Sequence, residues 1–265
     1  MIKLKYLLLL LPLLMLGCKK EELLNPPQPG KTISLTVKGY VMKDTLEFVL
    51  KDKVIGTAID DKFKLSANLF NSNDKVQIRK KSDKKSIGDI TITESPFNQV
   101  RKIFYDGTTL SNNLELTPVT KPDNMGFRLR FSTTFPDFYG GPVDIEFFVL
   151  LVNFETFEFS YTPVKKIKNV TGAFGEFIEL EPLEESTDLK SITYVFKVYK
   201  AGTNELPYTS TQNLQISDPD NNYSIALPFK KGASELLSIS PTLYEGTPPA
   251  VGDGYVVDDF SAPFK

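Results

Sequence analysis

The residue types needed for most enzyme chemistry are missing from this chain. Histidine is absent from all 265 residues, and Cys18 is the only cysteine. The chain therefore cannot build the Ser-His-Asp or Cys-His arrangements of nucleophilic catalysis, and it lacks the ligands of the usual zinc sites. The motifs G-x-S-x-G, G-x-x-x-x-G-K-[ST] and G-x-G-x-x-G are also absent. Carboxylates remain as the main reactive groups.

Two pairs of adjacent carboxylates stand out, Asp60-Asp61 and Asp258-Asp259. Glycoside hydrolysis requires only two carboxyl groups. However, neighbouring residues of a strand point to opposite faces, so such pairs are more typical of turns than of an acid–base couple. We therefore predict that the protein is not an enzyme, and we keep a carboxylate-based hydrolase as a minor alternative.

Oxygen ligands recur at alternate positions in Asp218, Asp220 and Asn222. Alternating oxygens suit a hard cation such as calcium, although the distal glutamate of an EF-hand loop is missing. The alternative interpretation is an Asx-rich turn between two strands. Calcium is the one cofactor that this pattern leaves open.

An aromatic, glycine-containing connection provides the candidate ligand site. Asp137, Phe138 and Tyr139 precede Gly140-Gly141. Aromatic faces beside a carboxylate suit sugar rings, and the two glycines add no bulk near a ligand. The alternative is that these rings fold inward and close the end of a sandwich. We predict Asp137, Phe138 and Tyr139 as ligand-binding residues.

Two shorter patterns are compatible with surface roles. Five cations lie within Arg79–Lys85; this run predicts a solvated hairpin tip, or else a site for lipid phosphates or anionic polysaccharide. Asp44-Thr45-Leu46 resembles the O-glycosylation triplet of exported Bacteroidota proteins, although Thr45 also fits an ordinary strand position.

The periodicity of apolar residues indicates an all-β protein. Ile33, Leu35 and Val37 alternate with polar residues, and no long segment has apolar residues at helical spacing. We predict two consecutive β-sandwich domains, immunoglobulin-like or prealbumin-like, over residues 32–118 and 124–265. The boundary is the polar, proline-containing run Thr117–Asn124.

The second domain is expected to contain a fully buried central strand. Ile145–Val152 is almost entirely apolar, which predicts a strand covered on both faces. Alternation predicts further strands through Phe157/Phe159/Tyr161, Ile192/Tyr194/Phe196/Val198 and Tyr223/Ile225/Leu227/Phe229.

The N-terminus has the features of a secretion signal. Lys3 and Lys5 precede the apolar run Tyr6–Leu16, which is too short to span a bilayer as a stable helix. Met15-Leu16-Gly17-Cys18 resembles the lipobox of bacterial lipoproteins, with Met15 and Leu16 departing from its usual residues. Lys19-Lys20-Glu21-Glu22 is similar to the signal that sends Bacteroidota lipoproteins to the cell surface. The resemblance implies a signal peptide over residues 1–17, acylation (palmitate or a related chain) of Cys18, and a surface-exposed outer-membrane lipoprotein.

Residues 18–31 are predicted to be a lipidated tether. The prolines of Pro26–Gly30 favour an extended chain, which at about 3.1 Å per residue reaches roughly 40 Å. Residues 31–120 carry 15 basic and 11 acidic side chains, a net charge of +4, whereas residues 121–265 carry 12 and 20, a net charge of −8. Such a chain is not a nucleic-acid binder, and its acidic half favours neutral or cation-bridged ligands.

These observations predict a non-catalytic cell-surface lipoprotein. Its partners would be the bilayer, through acylated Cys18, and an extracellular ligand such as a glycan, and it would act as an accessory to an outer-membrane uptake complex. The alternative is a structural or adhesive subunit that contacts other proteins through its sheet edges. An aromatic binding surface would favour the first function, and a long uncovered edge strand would favour the second.

Overall fold

The computed structural model describes residues 33–132, 139–208, 214–215, 222–246 and 250–265. The regular structure of these residues consists of seventeen strands and one turn of 3-10 helix. The prediction of an all-β protein is confirmed. None of the helical segments in these ranges has the length and apolar character needed to cross a membrane. The predicted signal peptide and the whole predicted tether, including Cys18, lie outside the described residues.

Eight strands form the first sandwich. In chain order they are β1 (Ile33–Val41), β2 (Leu46–Leu50), β3 (Lys53–Ala58), β4 (Asp61–Phe70), β5 (Lys75–Lys80), β6 (Ser86–Thr91), β7 (Asn98–Tyr105) and β8 (Leu110–Ser111). One sheet has the order β4-β1-β7-β8 and the other β3-β2-β5-β6. The predicted alternation on β1 is observed, since every second residue from Ile33 to Val41 is buried. These side chains meet apolar residues of β2 and β5 to form one core.

Gly39 allows β1 and β7 to approach each other closely. Its φ is +153°, and a Cβ atom built there would lie 1.8 Å from the carbonyl oxygen of Ile103 on β7. A residue with a side chain would therefore push β7 away from β1.

Nine strands of the second sandwich lie in the described ranges. They are β9 (Met125–Phe131), β10 (Val143–Asn153), β11 (Glu158–Val170), β12 (Phe177–Leu180), β13 (Lys190–Lys200), β14 (Leu214–Gln215), β15 (Ile225–Ala226), β16 (Ser234–Tyr244) and β17 (Ala250–Asp259). Their sheet orders are β11-β10-β13-β15 and β12-β9-β16-β17-β14. The strand predicted through Tyr223 and Phe229 is shorter than expected, because only Ile225–Ala226 pairs with β13. Residues 112–124, between β8 and β9, contain no strand.

The central strand β10 is covered on both faces only in its first half. Val143, Asp144 and Ile145 are all buried, whereas every residue from Phe148 to Asn153 is half-buried. The prediction that Ile145–Val152 is covered on both faces is therefore wrong for the second half of the strand. The β10–β11 hairpin extends past the core, so one of its faces receives no second layer at that end.

A third apolar cluster joins the two sandwiches. Phe104 of β7 and Leu114 pack with Leu236 of β16 and with Phe264, which lies in the 3-10 helix Ala262–Phe264. Lys102 adds a hydrogen bond from its Nζ to the Phe264 carbonyl oxygen at 2.7 Å. The C-terminal turn is thus held between the two units.

A buried ion pair lies beside this cluster. Arg130 of β9, 1% exposed, donates a hydrogen bond from Nη2 to Oδ2 of Asp106, and its guanidinium carbon lies 4.8 Å from the centre of the Phe104 ring. Burial alone would raise the pKa of the Asp106 carboxyl, but hydrogen bonds from Thr109 and Thr108 and the charge of Arg130 hold that pKa below its usual value. The pair connects the two sandwiches through a desolvated contact.

Candidate functional site

The turn that connects β10 to β11 is ordered by its own hydrogen bonds. Asn153 Oδ1 accepts hydrogen bonds from the backbone N–H groups of Glu155, at 2.9 Å, and Thr156, at 3.2 Å. The Phe154 N–H donates to the Leu189 carbonyl oxygen at 2.8 Å. This Asx turn, together with the hydrogen bond to Leu189 just before β13, holds the hairpin tip in one geometry.

Four aromatic rings are exposed along this hairpin. The exposed fraction is 47% for Phe154, 76% for Phe157, 64% for Phe159 and 43% for Tyr161. Phe157 was predicted to lie in a strand, but β11 begins one residue later and Phe157 occupies the turn with a φ of +57°. This left-handed conformation is unusual for a bulky residue and is typical of a tight turn.

Two of the rings share a flat face with neighbouring strands. Tyr161 lies opposite Leu150 on β10, and Phe159 lies opposite Val152. The same β10 residues lie opposite Thr193 and Ser191 of β13. Directly opposed residues project to the same side of a sheet, and this side is the solvent side because the alternate residues Phe147 and Phe196 are fully buried. We call the six residues Leu150, Val152, Phe159, Tyr161, Ser191 and Thr193 the aromatic platform.

The polar surroundings of Tyr161 fix its ring. Its hydroxyl group lies 3.2 Å from Ser224 Oγ, and its ring meets Phe148 edge-on at 6.2 Å between centres. The ammonium of Lys197 lies 5.1 Å from the ring centre. The platform therefore offers pre-positioned rings beside side-chain hydroxyl groups, and none of its six residues is a carboxylate or a lysine.

The structure does not place Tyr139 at a ligand surface. Its side chain is 1% exposed and packs in the core of the second sandwich, with its ring edge-on to Phe131 at 5.2 Å. Burial raises the pKa of its hydroxyl far above the ordinary value. Tyr139 is therefore corrected from a stacking residue to a core residue, because its ring has no free face. Asp137 and Phe138 lie outside the described residues, and their part of the prediction stays a prediction.

The calcium prediction also falls largely outside the described residues. Asp218 and Asp220 are not among them, and the amide group of Asn222 donates a hydrogen bond to the Val198 carbonyl oxygen at 2.7 Å. Within the described part of the chain, no three acidic, histidine or cysteine side chains form a group that could hold a metal ion.

The basic run Arg79–Lys85 covers the end of β5 and the turn to β6, as expected of a hairpin tip. Several of its charges are paired: Arg79 and Lys84 each contact Glu47 at 2.8 Å, and Lys80 contacts Asp83 at 2.7 Å. Hydrogen bonds from Lys84 and Arg79 lower the pKa of the Glu47 carboxyl. This pairing reduces the charge available to an anionic ligand.

The adjacent carboxylates do not form an acid–base couple. Asp60 Oδ1 accepts a hydrogen bond from the Lys43 N–H at 3.0 Å in a turn. Asp259 accepts one from the Ser261 N–H at 2.9 Å, and near it Glu235 contacts Lys230 at 2.6 Å. Burial raises the pKa of the Glu235 carboxyl. However, the Glu235 side chain is only 3% exposed, so a substrate has little access to it. The exposed Asp60 and Asp259 are each held by these local hydrogen bonds.

Comparisons with known proteins do not assign a family. No protein-family profile and no curated protein matches the chain. Among solved structures, one that is similar to this chain is a family 26 carbohydrate-binding module from Eubacterium rectale Amy13K, crystallised with maltoheptaose. The two chains share 8% sequence identity with a TM-score of 0.21, and the match covers 86% of this chain and 96% of the other. Because that score is too low to establish a shared fold, the function must be inferred from the residues of this chain.

Proposed function

We propose that the protein is a non-catalytic, cell-surface lipoprotein that binds a neutral extracellular glycan through the aromatic platform. The observation that carries this proposal is the exposure of Phe159 and Tyr161 side by side on a rigid sheet. Rings held by a sheet lose little conformational freedom when they bind, so their contact area contributes efficiently to affinity.

The chemistry of the platform favours sugars. Apolar ring faces suit the C–H faces of pyranoses, while Ser191 and Thr193 supply hydroxyl groups within the same surface. The net charge of −8 over residues 121–265 favours a neutral ligand over an anionic polymer.

The lipobox resemblance supports the cell-surface location. An acylated Cys18 carrying more than one chain would anchor the protein stably, because each buried methylene contributes about 0.8 kcal/mol. The tether would then hold the two sandwiches away from the membrane, where a glycan could be captured and passed to an uptake complex.

A glycan array probed with the purified protein tests this proposal. We expect binding to neutral glycans, loss of that binding in Phe159→Ala/Tyr161→Ala, and retention in Tyr244→Ala. Tyr244 is a matched control because it is exposed to the same extent as Tyr161, 43%, but lies on β16. A protein that binds no glycan on a broad array would contradict the proposal.

The second candidate function is a structural or adhesive subunit that pairs through a sheet edge. It is favoured by β11, a 13-residue strand at the edge of its sheet. However, Pro163 and Lys165 lie on this strand, and prolines and lysines protect edges against pairing. Self-association by sedimentation, lost in Thr162→Pro, would favour this function over glycan binding.

A further inference from the structure

A cleft of about 530 Å³ opens at the side of the second sandwich, away from the aromatic platform. It lies where β11, the edge of one sheet, faces β12, the edge of the other, and the connection 171–176 joins them. Its volume falls in the range of small-molecule sites, which is about 300–1,000 Å³.

The wall of the cleft is partly polar and partly apolar. Leu129, Val170 and Ile178 line it and belong to the main core of the domain, and Ile167 packs against that core. A ligand that enters here would remove apolar surface from water, which is the main favourable contribution in such sites.

A lysine lies at the cleft on the core-facing side of β11. Lys165 is opposite Phe147 and Ile167 is opposite Ile145, and both β10 partners are fully buried, so Lys165 and Ile167 project to the inner face. Lys165 is nevertheless exposed, because the sandwich is open at this edge. A cation on the inner face of a strand is costly unless it stays hydrated or meets an anion.

The other charges of the cleft leave a positive balance. Lys168 is exposed and lines the cleft, and Glu176 is the one acid among the lining residues. Lys166 is held by its own partners, the Thr203 carbonyl oxygen at 2.9 Å and Asn204 Oδ1 at 2.6 Å. Lys165 and Lys168 are therefore the cations available to a ligand.

We propose that this cleft binds an amphipathic carboxylate, an acyl or aryl acid whose apolar body lies against Ile167, Val170 and Ile178. Its carboxylate pairs with Lys165, with Lys168 adding a second positive charge. Apolar side chains beside two available lysines match this class of ligand. The site is independent of the glycan proposal, since it shares no residue with the aromatic platform.

Fluorescence titration with 8-anilinonaphthalene-1-sulfonate, an apolar body bearing an anion, tests the proposal. We expect a saturable signal that dodecanoate displaces at least tenfold more effectively than dodecanol. Lys165→Gln should weaken dodecanoate binding about tenfold. Lys231→Gln is the matched control because Lys231 is an exposed lysine paired with Asp123 on another side of the domain; it should leave binding unchanged.

Three results would overturn the proposal. The first is unchanged dodecanoate affinity in Lys165→Gln, and the second is equal displacement by dodecanol. The third is loss of the fluorescent signal in Phe159→Ala/Tyr161→Ala, which would locate the probe on the aromatic platform. Lys165 is exposed, so its variant should fold, and circular dichroism verifies this before each titration.

Discussion

Replacing Asp106 with alanine should destabilise the whole protein, because it leaves a buried arginine without its carboxylate. Arg130 is 1% exposed, and its Nε already has no hydrogen-bond partner among the described residues. Removing one member of a buried ion pair costs about 3–5 kcal/mol of unfolding free energy. For a folded region of this size, about 2–4 °C is lost per kcal/mol, so the melting temperature should fall by roughly 6–20 °C.

Thermal unfolding followed by circular dichroism measures this effect, and a double variant separates pairing from packing. In Asp106→Leu/Arg130→Met both charges are removed together, so no buried charge is left unpaired and most of the loss should be recovered. An Asp106→Ala protein that melts within 2 °C of the wild type would refute the reasoning. A double variant no more stable than Asp106→Ala would refute it as well.

Three further predictions concern the pH dependence of the Asp106 contribution, the packing at Gly39 and the anchor at Cys18. The stabilisation that Asp106 contributes should be lost in acid, because the pKa of its carboxyl is lower in the folded state than in the unfolded state. The stabilisation is complete above the unfolded pKa of about 3.9 and disappears as the pH falls through the folded pKa. The melting-temperature difference between the wild type and Asp106→Asn should therefore shrink below about pH 4. Gly39→Ala should lower the unfolding free energy measured by chemical denaturation by about 1–3 kcal/mol or more, because the added Cβ meets the Ile103 carbonyl oxygen. Gly202→Ala should lower it less, because there is open space around Gly202. Cys18→Ser should abolish incorporation of labelled fatty acid and release the protein from membranes; a variant that stays labelled and membrane-bound would contradict the anchor.

The strands of the first sandwich could be predicted because local alternation decides which face is buried. On β1, the order of apolar and polar side chains from Ile33 to Lys38 matches their burial residue by residue. The all-β class follows from the same period of two, which needs no knowledge of the partner sheet.

The aromatic platform could not be predicted, because alternation does not show which face of a strand meets solvent. Phe159 and Tyr161 alternate with Ser160 and Thr162, a pattern that normally places the rings on the core side, but their pairing with Val152 and Leu150 places them on the solvent side. The prediction for Tyr139 in the glycine-containing connection was wrong in the opposite sense. Its ring was predicted to bind a ligand, but it packs inside the sandwich, against Phe131.

The contact between the two sandwiches also could not be predicted from the sequence. Arg128 and Arg130 alternate with Phe127, Leu129 and Phe131, a pattern that normally indicates a solvent-facing side. Arg130 is buried only because residues of the first sandwich, more than twenty positions away in the chain, cover that face. Long-range contacts of this kind leave no periodic signal.

Isothermal titration of a neutral glycan that the protein captures tests the central claim most directly. The account predicts that Phe159→Ala/Tyr161→Ala weakens binding by about 1–3 kcal/mol, roughly 5- to 150-fold, with an unchanged melting temperature because both rings are exposed. Tyr244→Ala should bind as the wild type does. Equal affinity of the double variant and the wild type would contradict the account.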